Sequence, residues 1–170
     1  MEKIIKYWIF KTKWGYFGVV GSDEGLLRTY LPQADREEIK RQILKAFPTA
    51  RPEKKPFERV FNAVLGYFDG KKVGFGDIKV AMDELSRFAR RVLVTCRGTG
   101  FGKVVTYQGL AKKIGRAGAT RAVGTVMAKN PLPLIIPCHR VIRSDGKLGG
   151  FSAHGGIKTK KKLIDLERKR

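Results

Sequence analysis

Between Leu85 and Ser144 the chain contains no aspartate or glutamate, while twelve lysines and arginines fall in the same stretch. A surface of one sign over that length excludes a cation-binding or acidic character for this region and makes a polyanion its natural partner. Cysteine and histidine are scarce, with only Cys96, Cys138, His139 and His154 present and no Cys-x-x-Cys pair. That excludes a disulfide framework and argues against a structural zinc site, so an intracellular, cytoplasmic chain with no bound metal is expected. No apolar run approaches the roughly eighteen residues of a membrane span. The opening Met1-Glu2-Lys3-Ile4-Ile5-Lys6 carries neither the apolar core nor the cleavage site of a signal peptide.

What is present is a chain of 170 residues, 42% hydrophobic, with a formal charge of +21. It can bury the core of one medium domain or two small ones. Residues 1–83 hold 16 basic and 11 acidic side chains, whereas residues 84–170 hold 20 and 4. The imbalance assigns nucleic-acid binding to the second half. The competing reading is a lysine-rich surface kept for solubility or heat tolerance.

The first half alternates around Ile4, Tyr7 and Ile9, then Tyr16, Phe17, Val19 and Val20, then Leu26, Leu27 and Tyr30. Glycines and Ser22-Asp23-Glu24 punctuate it, which predicts two or three short antiparallel strands. Helical spacing follows over 34–47 and again over 57–68, separated by a Pro48, Pro52, Pro56 linker. Residues 73–82 read as extended. This half advertises no chemistry, and its aromatic residues are most simply core.

The second half reads as mainly helical. Leu85, Phe88, Ala89, Val92 and Leu93 share one helix face, and Cys96 closes it as a buried apolar residue. Thr106 can cap a helix over 107–114, Gly115-Arg116-Ala117-Gly118 turns, and a second helix runs over 120–129 with Val123 and Met127 on its apolar face. That is the rhythm of a helix-turn-helix. Ala122 and Gly124 let the second helix approach DNA closely, and Arg121 in its first turn can enter a groove or the helix itself. Leu134-Ile135-Ile136 reads as a short buried strand or extended run, and a last helix spans about 157–167.

Pro137-Cys138-His139-Arg140 follows that run. The adjacent His139, the nearby Arg140 and Arg143 and the absence of local acids all favour the Cys138 thiolate. The residues alone leave a reactive and an inert core cysteine both open. His139 needs a carboxylate to orient its ring. The second half offers only Glu84, Asp145, Asp165 and Glu167, and Glu167 also reads as a plain surface acid.

Taken together, Gly102-Lys103-Val104-Val105-Thr106-Tyr107-Gln108, Arg121-Ala122-Val123-Gly124, Asn130-Pro131 and Pro137-Cys138-His139-Arg140-Val141 closely resemble the O6-alkylguanine-DNA alkyltransferases. The firm resemblance covers residues 85–167. It implies an α+β chain: a ribonuclease-H-like α/β domain over 1–83, then a mostly helical, winged-helix-like DNA-binding and alkyl-acceptor domain over 84–170. It implies that Cys138 accepts the alkyl group, that His139 deprotonates it through a water, and that Glu167 holds His139. Tyr107 would donate to guanine N3, Asn130 would brace the turn near the cysteine, and Arg121 would fill the space of the flipped nucleotide. The Cys138 carbonyl and Val141 amide region would meet the guanine edge, and Ser152 would donate to O6. Tyr107, Met127, Val141, Phe151 and Ser152 would form the pocket, with Thr106, Ala122 and Gly124 at the DNA. Phe151 stands where a tyrosine is frequent in the family, Ala153-His154 lengthens the following loop, and the zinc ligands of some members are missing.

The implied activity is direct-reversal repair: one irreversible transfer of an alkyl group from O6 of guanine, and from O4 of thymine, in double-stranded DNA to Cys138. No cofactor or membrane is needed, and a monomer suffices. The alternative is a nonenzymatic winged-helix regulator or damage sensor, which needs only the basic helix pair and leaves the cysteine unused. A thiol hydrolase would require an oxyanion site, for which the sequence offers no candidate.

Overall fold

Residues 2–169 are described by a computed structural model, and the chain divides into two compact units, Met1–Ala81 and Met82–Arg170. In the first unit the alternating segments form an antiparallel meander of β1 (Lys6–Thr12), β2 (Gly15–Ser22) and β3 (Gly25–Gln33). Two-residue turns join the strands, and Gly15 and Gly25 leave them at φ 122° and 130°, where a side chain would be strained. Helix α1 (Arg36–Ala46) starts at Asp35, whose carboxylate accepts from the Glu37 amide, and it buries Ile39 and Ile43 against the sheet.

The proline-marked linker contains an unanticipated two-residue strand, β4 (Arg51–Pro52), which pairs parallel to β1 and gives the sheet order β3-β2-β1-β4. Helix α2 (Glu58–Phe68) buries Val60, Val64, Tyr67 and Phe68. Residues 73–82 differ from expectation. They are irregular, and they meet the sheet where the Leu26 amide donates to the Lys79 carbonyl and the Ala81 amide to the Leu26 carbonyl. Glycine and charged residues there give too little alternating apolar surface to hold a strand.

The sheet is closely packed against α1. A Cβ on Gly18 would lie 2.7 Å from Cγ2 of the wholly buried Ile39, closer than packed atoms tolerate. Gly18→Ala is therefore expected to lower the unfolding free energy by about 1–3 kcal/mol. Urea denaturation of the full chain, followed by Trp8 and Trp14 fluorescence, checks this; undiminished stability would show that α1 can move off the sheet.

The second unit holds four helices among its described residues. They are α3 (Arg87–Arg97), α4 (Tyr107–Lys113), α5 (Thr120–Ala128) and α6 (Gly156–Arg168). Ser86 caps α3 and Thr106 caps α4, each through its hydroxyl oxygen accepting a backbone N–H. Val92, Leu93, Cys96, Leu110, Val123 and Leu163 are buried at the centre. A small parallel pair was not legible in the sequence: β5 (Val105–Thr106) lies beside β6 (Val141–Ile142). Leu134-Ile135-Ile136 is a tight turn rather than a strand, with Leu134 buried in the left-handed region at φ 77°. The Ile136 amide donates to the Leu132 carbonyl across it. A leucine seldom adopts that conformation, so the surrounding bonds must hold it there. Among the described residues no helix is long and apolar enough to cross a membrane.

Candidate active site

The strained turn delivers Cys138 to the start of a single 3-10 turn, Cys138–Arg140. Asn130, just beyond the end of α5, braces the approach: its Nδ2 donates to the Ile136 carbonyl at 3.0 Å and its Oδ1 accepts from the Leu132 amide at 3.0 Å. Cys138 is only 7% exposed, yet it lines a cavity of about 610 Å³. Tyr107, Met127, Phe151 and Ser152, all expected in the pocket, line it too, and so do Arg121 and Gly124. A guanine-sized base therefore has space beside the sulfur.

Behind the cysteine is a buried ionic cluster. His139 is fully buried, and its Nε2 lies 2.7 Å from Oε1 of Glu167, on the inner face of α6. Arg140 Nε donates to Glu167 Oε2 at 3.0 Å and Nη2 donates to Oε1 at 2.9 Å, while Nη1 donates to the Thr99 carbonyl. The Gly102 amide donates to Oε2 at 3.1 Å. Glu167 is thus no surface acid; it is 3% exposed and ties α6 to the cysteine turn and to the 99–102 turn.

Charge states follow from these contacts. Burial alone would raise the Glu167 carboxyl, but the hydrogen bonds and charges of His139 and Arg140 outweigh it and hold the group at about 2. Burial keeps the His139 imidazole below its ordinary value, against the pull of Glu167, with Arg140 and Lys160 adding to the depression. A neutral ring whose Nε2–H donates to Glu167 leaves Nδ1 as a bare acceptor, and that buried Nδ1 has no hydrogen-bond partner among the described residues.

The thiolate expected at rest is not favoured. Burial pushes the Cys138 thiol up, and hydrogen bonding from Asn130 and the Lys160 charge offset this only in part. Arg140, read as a neighbour that would ionise the thiol, points instead at Glu167, and Arg143 pairs with Asp145 at 2.8 Å. Burial therefore favours a protonated thiol at rest.

Two further assignments change. Val141 is wholly buried and does not line the cavity; its amide donates to the Cys138 carbonyl, so these two backbone groups face each other. Ser152 Oγ donates to the Ala128 carbonyl at 2.6 Å, which occupies the hydroxyl hydrogen expected at O6. Thr106 serves as the α4 cap, whereas Arg121 and Ala122 are exposed on the first turn of α5. A Cβ on Gly124 would meet only open space.

Lys160 escaped the sequence reading because it sits in a run of lysines that looks like a solvated face. It is fully buried, and its Nζ donates to the carbonyls of Leu148 at 2.6 Å and Gly150 at 3.2 Å and to the Tyr107 hydroxyl at 3.4 Å. Burial lowers its pKa to about 8. Its place four residues ahead of Ile164 and three ahead of Leu163, on the apolar stripe of α6, was the available signal. The lysine thereby fixes the cavity wall at 148–150 and the ring of Tyr107 to the helix that bears Glu167.

A protein of Metallosphaera sedula described as methylated-DNA–protein-cysteine methyltransferase is 32% identical over 164 residues, covering 96% of this chain and 94% of its own. The chain belongs to this family. A profile described as 6-O-methylguanine DNA methyltransferase, DNA binding domain, matches residues 87–169. The crystal structure of Mycobacterium tuberculosis O6-methylguanine methyltransferase superposes with a TM-score of 0.79 at 28% identity, covering 98% of this chain and 94% of that one. A structure of the M. tuberculosis protein in complex with DNA gives 0.79 at 29% identity, covering 96% and 93%. The mixed α+β fold of this chain is that of the family.

The buried carboxylate makes the second unit sensitive to acid. A folded-state value of about 2, below the ordinary 4.5, means that Glu167 contributes stability above the ordinary value and loses it as pH falls through about 2. Thermal melting is expected to weaken progressively from near pH 4.5 downward, and Glu167→Gln should flatten that part of the profile. Parallel profiles for the two proteins would contradict the assignment.

Proposed function

We infer that this protein repairs alkylated DNA by moving the alkyl group from O6 of guanine to Sγ of Cys138, once per molecule. The observation that carries the reading is a cavity large enough for a base that Cys138 lines, followed in the chain by a buried His139–Glu167 pair whose Nδ1 has no hydrogen-bond partner among the described residues. The thiol proton passes through a water to Nδ1 while Glu167 holds the opposite nitrogen. Sulfur then forms a bond to the alkyl carbon as the carbon–O6 bond breaks, and the electron pair stays on the guanine. The proton taken from the thiol finally resides on guanine, so a thioether and an unmodified base are the whole products. Displacement at saturated carbon calls for alignment of S, C and O6 rather than an oxyanion hole.

The base must leave the duplex before it can reach a sulfur at the back of a cavity, at a cost of roughly a few kcal/mol. Arg121, exposed on the first turn of α5 and at the cavity rim, is the side chain to fill the vacated stack. Ala122 and Gly124 keep the rest of that helix face low. Tyr107 reaches the cavity from α4 and donates toward guanine N3, and burial holds its hydroxyl protonated. With the Ser152 hydroxyl engaged, contact to O6 falls to a backbone N–H of the 149–152 loop or to a rotated Ser152. Residues 1–83 form a ribonuclease-H-like domain in this reading, supported by the sheet order β3-β2-β1-β4 with α1 crossing between β3 and β4. Residues 84–170 form a winged-helix-like domain, supported by the capped α4–α5 pair and the β5–β6 pair. The protein acts as a cytoplasmic monomer on double-stranded DNA and takes O4-alkylthymine as a second substrate.

Incubation with duplex DNA carrying labelled O6-methylguanine should deposit one equivalent of methyl on Cys138, located by mass analysis of the digest. Cys138→Ala should still bind the duplex and leave the lesion intact. Continuing release of label, or a methyl on another residue, would overturn the reading. Tyr107→Phe is expected to bind normally yet slow single-turnover transfer by roughly ten- to a hundredfold. Arg121→Ala should impair repair in duplex more than reaction with a free O6-alkylguanine base; equal losses would argue against insertion.

A further inference from the structure

We propose that Arg140 is a positioning residue of the proton relay: its guanidinium fork pins both oxygens of Glu167, so that the carboxylate holds His139 by Nε2 and leaves Nδ1 free to accept a proton. The inference rests on the alkyl-transfer reading and goes beyond the cysteine, histidine and glutamate already placed in it.

Geometry carries the argument. Arg140 is 6% exposed and makes two parallel bonds to Glu167, Nε to Oε2 at 3.0 Å and Nη2 to Oε1 at 2.9 Å. Such a fork fixes the plane of a carboxylate, which a single donor cannot do. The remaining amino group is tied to the Thr99 carbonyl, and the guanidinium carbon lies 5.9 Å from the Phe101 ring centroid, so the arginine is itself immobilised. Glu167 Oε1 is thereby shared between Arg140 and His139, 2.7 Å away. Were Arg140 absent, the carboxylate would keep the Gly102 amide on Oε2 but lose the fork that sets its plane, and with it the fixed geometry that selects the His139 tautomer. Burial rules out the other role for a cation here, a direct contact with the DNA backbone.

Electrostatics acts in the same direction. The groups facing His139 are Glu167 and Lys160 from α6, Arg140 from its own turn and the neighbouring Cys138, with Cys96 of α3 and Tyr107 of α4 around the same sulfur. Of these, Arg140 and Lys160 disfavour an imidazolium and Glu167 favours it. Removing the Arg140 charge therefore raises the pH below which His139 is already protonated and unable to accept the thiol proton.

Two variants separate position from charge. In Arg140→Gln, which has neither the fork nor the charge, single-turnover methyl transfer at neutral pH should fall at least about tenfold, and the acid limb of the rate profile should move up by on the order of one pH unit. In Arg140→Lys, which keeps the charge without the fork, the rate should fall while the limb stays in place. NMR titration of the His139 ring reports the same shift without any reaction, and His154 is the one other histidine to assign. A Gln variant whose limb and ring titration match the parent would overturn the proposal, leaving Arg140 a mere buttress. So would a Lys variant of parental rate. If Arg140→Gln does not fold, as judged by thermal melting, the Lys variant decides alone. Should the parent itself transfer no methyl group, the repair reading fails, and the ring titration still tests whether Arg140 governs His139.

Discussion

One carboxylate organises the second unit. Glu167 receives His139, the Arg140 fork and the Gly102 amide, and so joins the last helix to the turn that carries Cys138 and to the turn after α3. Burying an anion is costly, and it is tolerable here because nearly every lone pair finds a donor and a full positive charge stands beside it. The same fact explains why the acid-free stretch from Leu85 to Ser144 does not simply repel itself. Its one deeply placed cation is neutralised by an acid supplied from outside the stretch, near the end of the chain.

This arrangement alters how the cysteine is to be understood. A positive neighbourhood suggests a thiolate ready at rest, but the arginines of that neighbourhood are bound elsewhere and the sulfur is buried. Burial holds the Cys138 side chain as a thiol and the His139 ring neutral, and in the proposed reaction ionisation waits for the substrate. For a reagent that reacts once and irreversibly, a protonated resting sulfur has a clear consequence: it is a poor nucleophile toward stray electrophiles and peroxides, which attack thiolates. Reactivity is tied to a base filling the cavity, where the alkyl carbon, O6 and Sγ can align.

Much of the fold was legible in the residues because it depends on local patterns. The meander, α1, α2 and the α4–α5 pair follow from spacing and from caps such as Asp35, Ser86 and Thr106, whose partners lie two or three residues away. What escaped depends on distant partners. The strands β4 and β6 are two residues long, and each exists only because another segment lies beside it. Leu134 takes a left-handed conformation that its own side chain opposes, imposed by the Asn130 bonds around the turn. Arg140 reads from the sequence as a cation beside the thiol, and Lys160 as one of a basic surface run; charge pattern alone cannot say which lysine of Lys160-Lys161-Lys162 faces inward. The helical phase of α6 could have said so, since Lys160 shares its stripe with Leu163, Ile164 and Glu167. Ser152 and Val141, placed by resemblance alone, make hydrogen bonds within the protein that the resemblance gave no means of foreseeing.

That stripe also lets one helix hold two sides of the cavity region in the proposed reaction. Lys160 and Glu167 are seven residues apart, close to two turns, so they project from the same face of α6 about 10 Å apart along its axis. The lysine end holds the Tyr107 hydroxyl and the 148–150 wall of the cavity, and the glutamate end holds His139, the residue proposed to take the thiol proton. Leu163 and Ile164 between them are buried, so the spacing of the two ends is set by apolar packing rather than by the charges themselves. A helix rigid over that distance keeps the proton acceptor and the leaving-group side in register. The geometry of displacement at carbon demands such rigidity, because nucleophile and leaving atom must stay in line across the reacting centre.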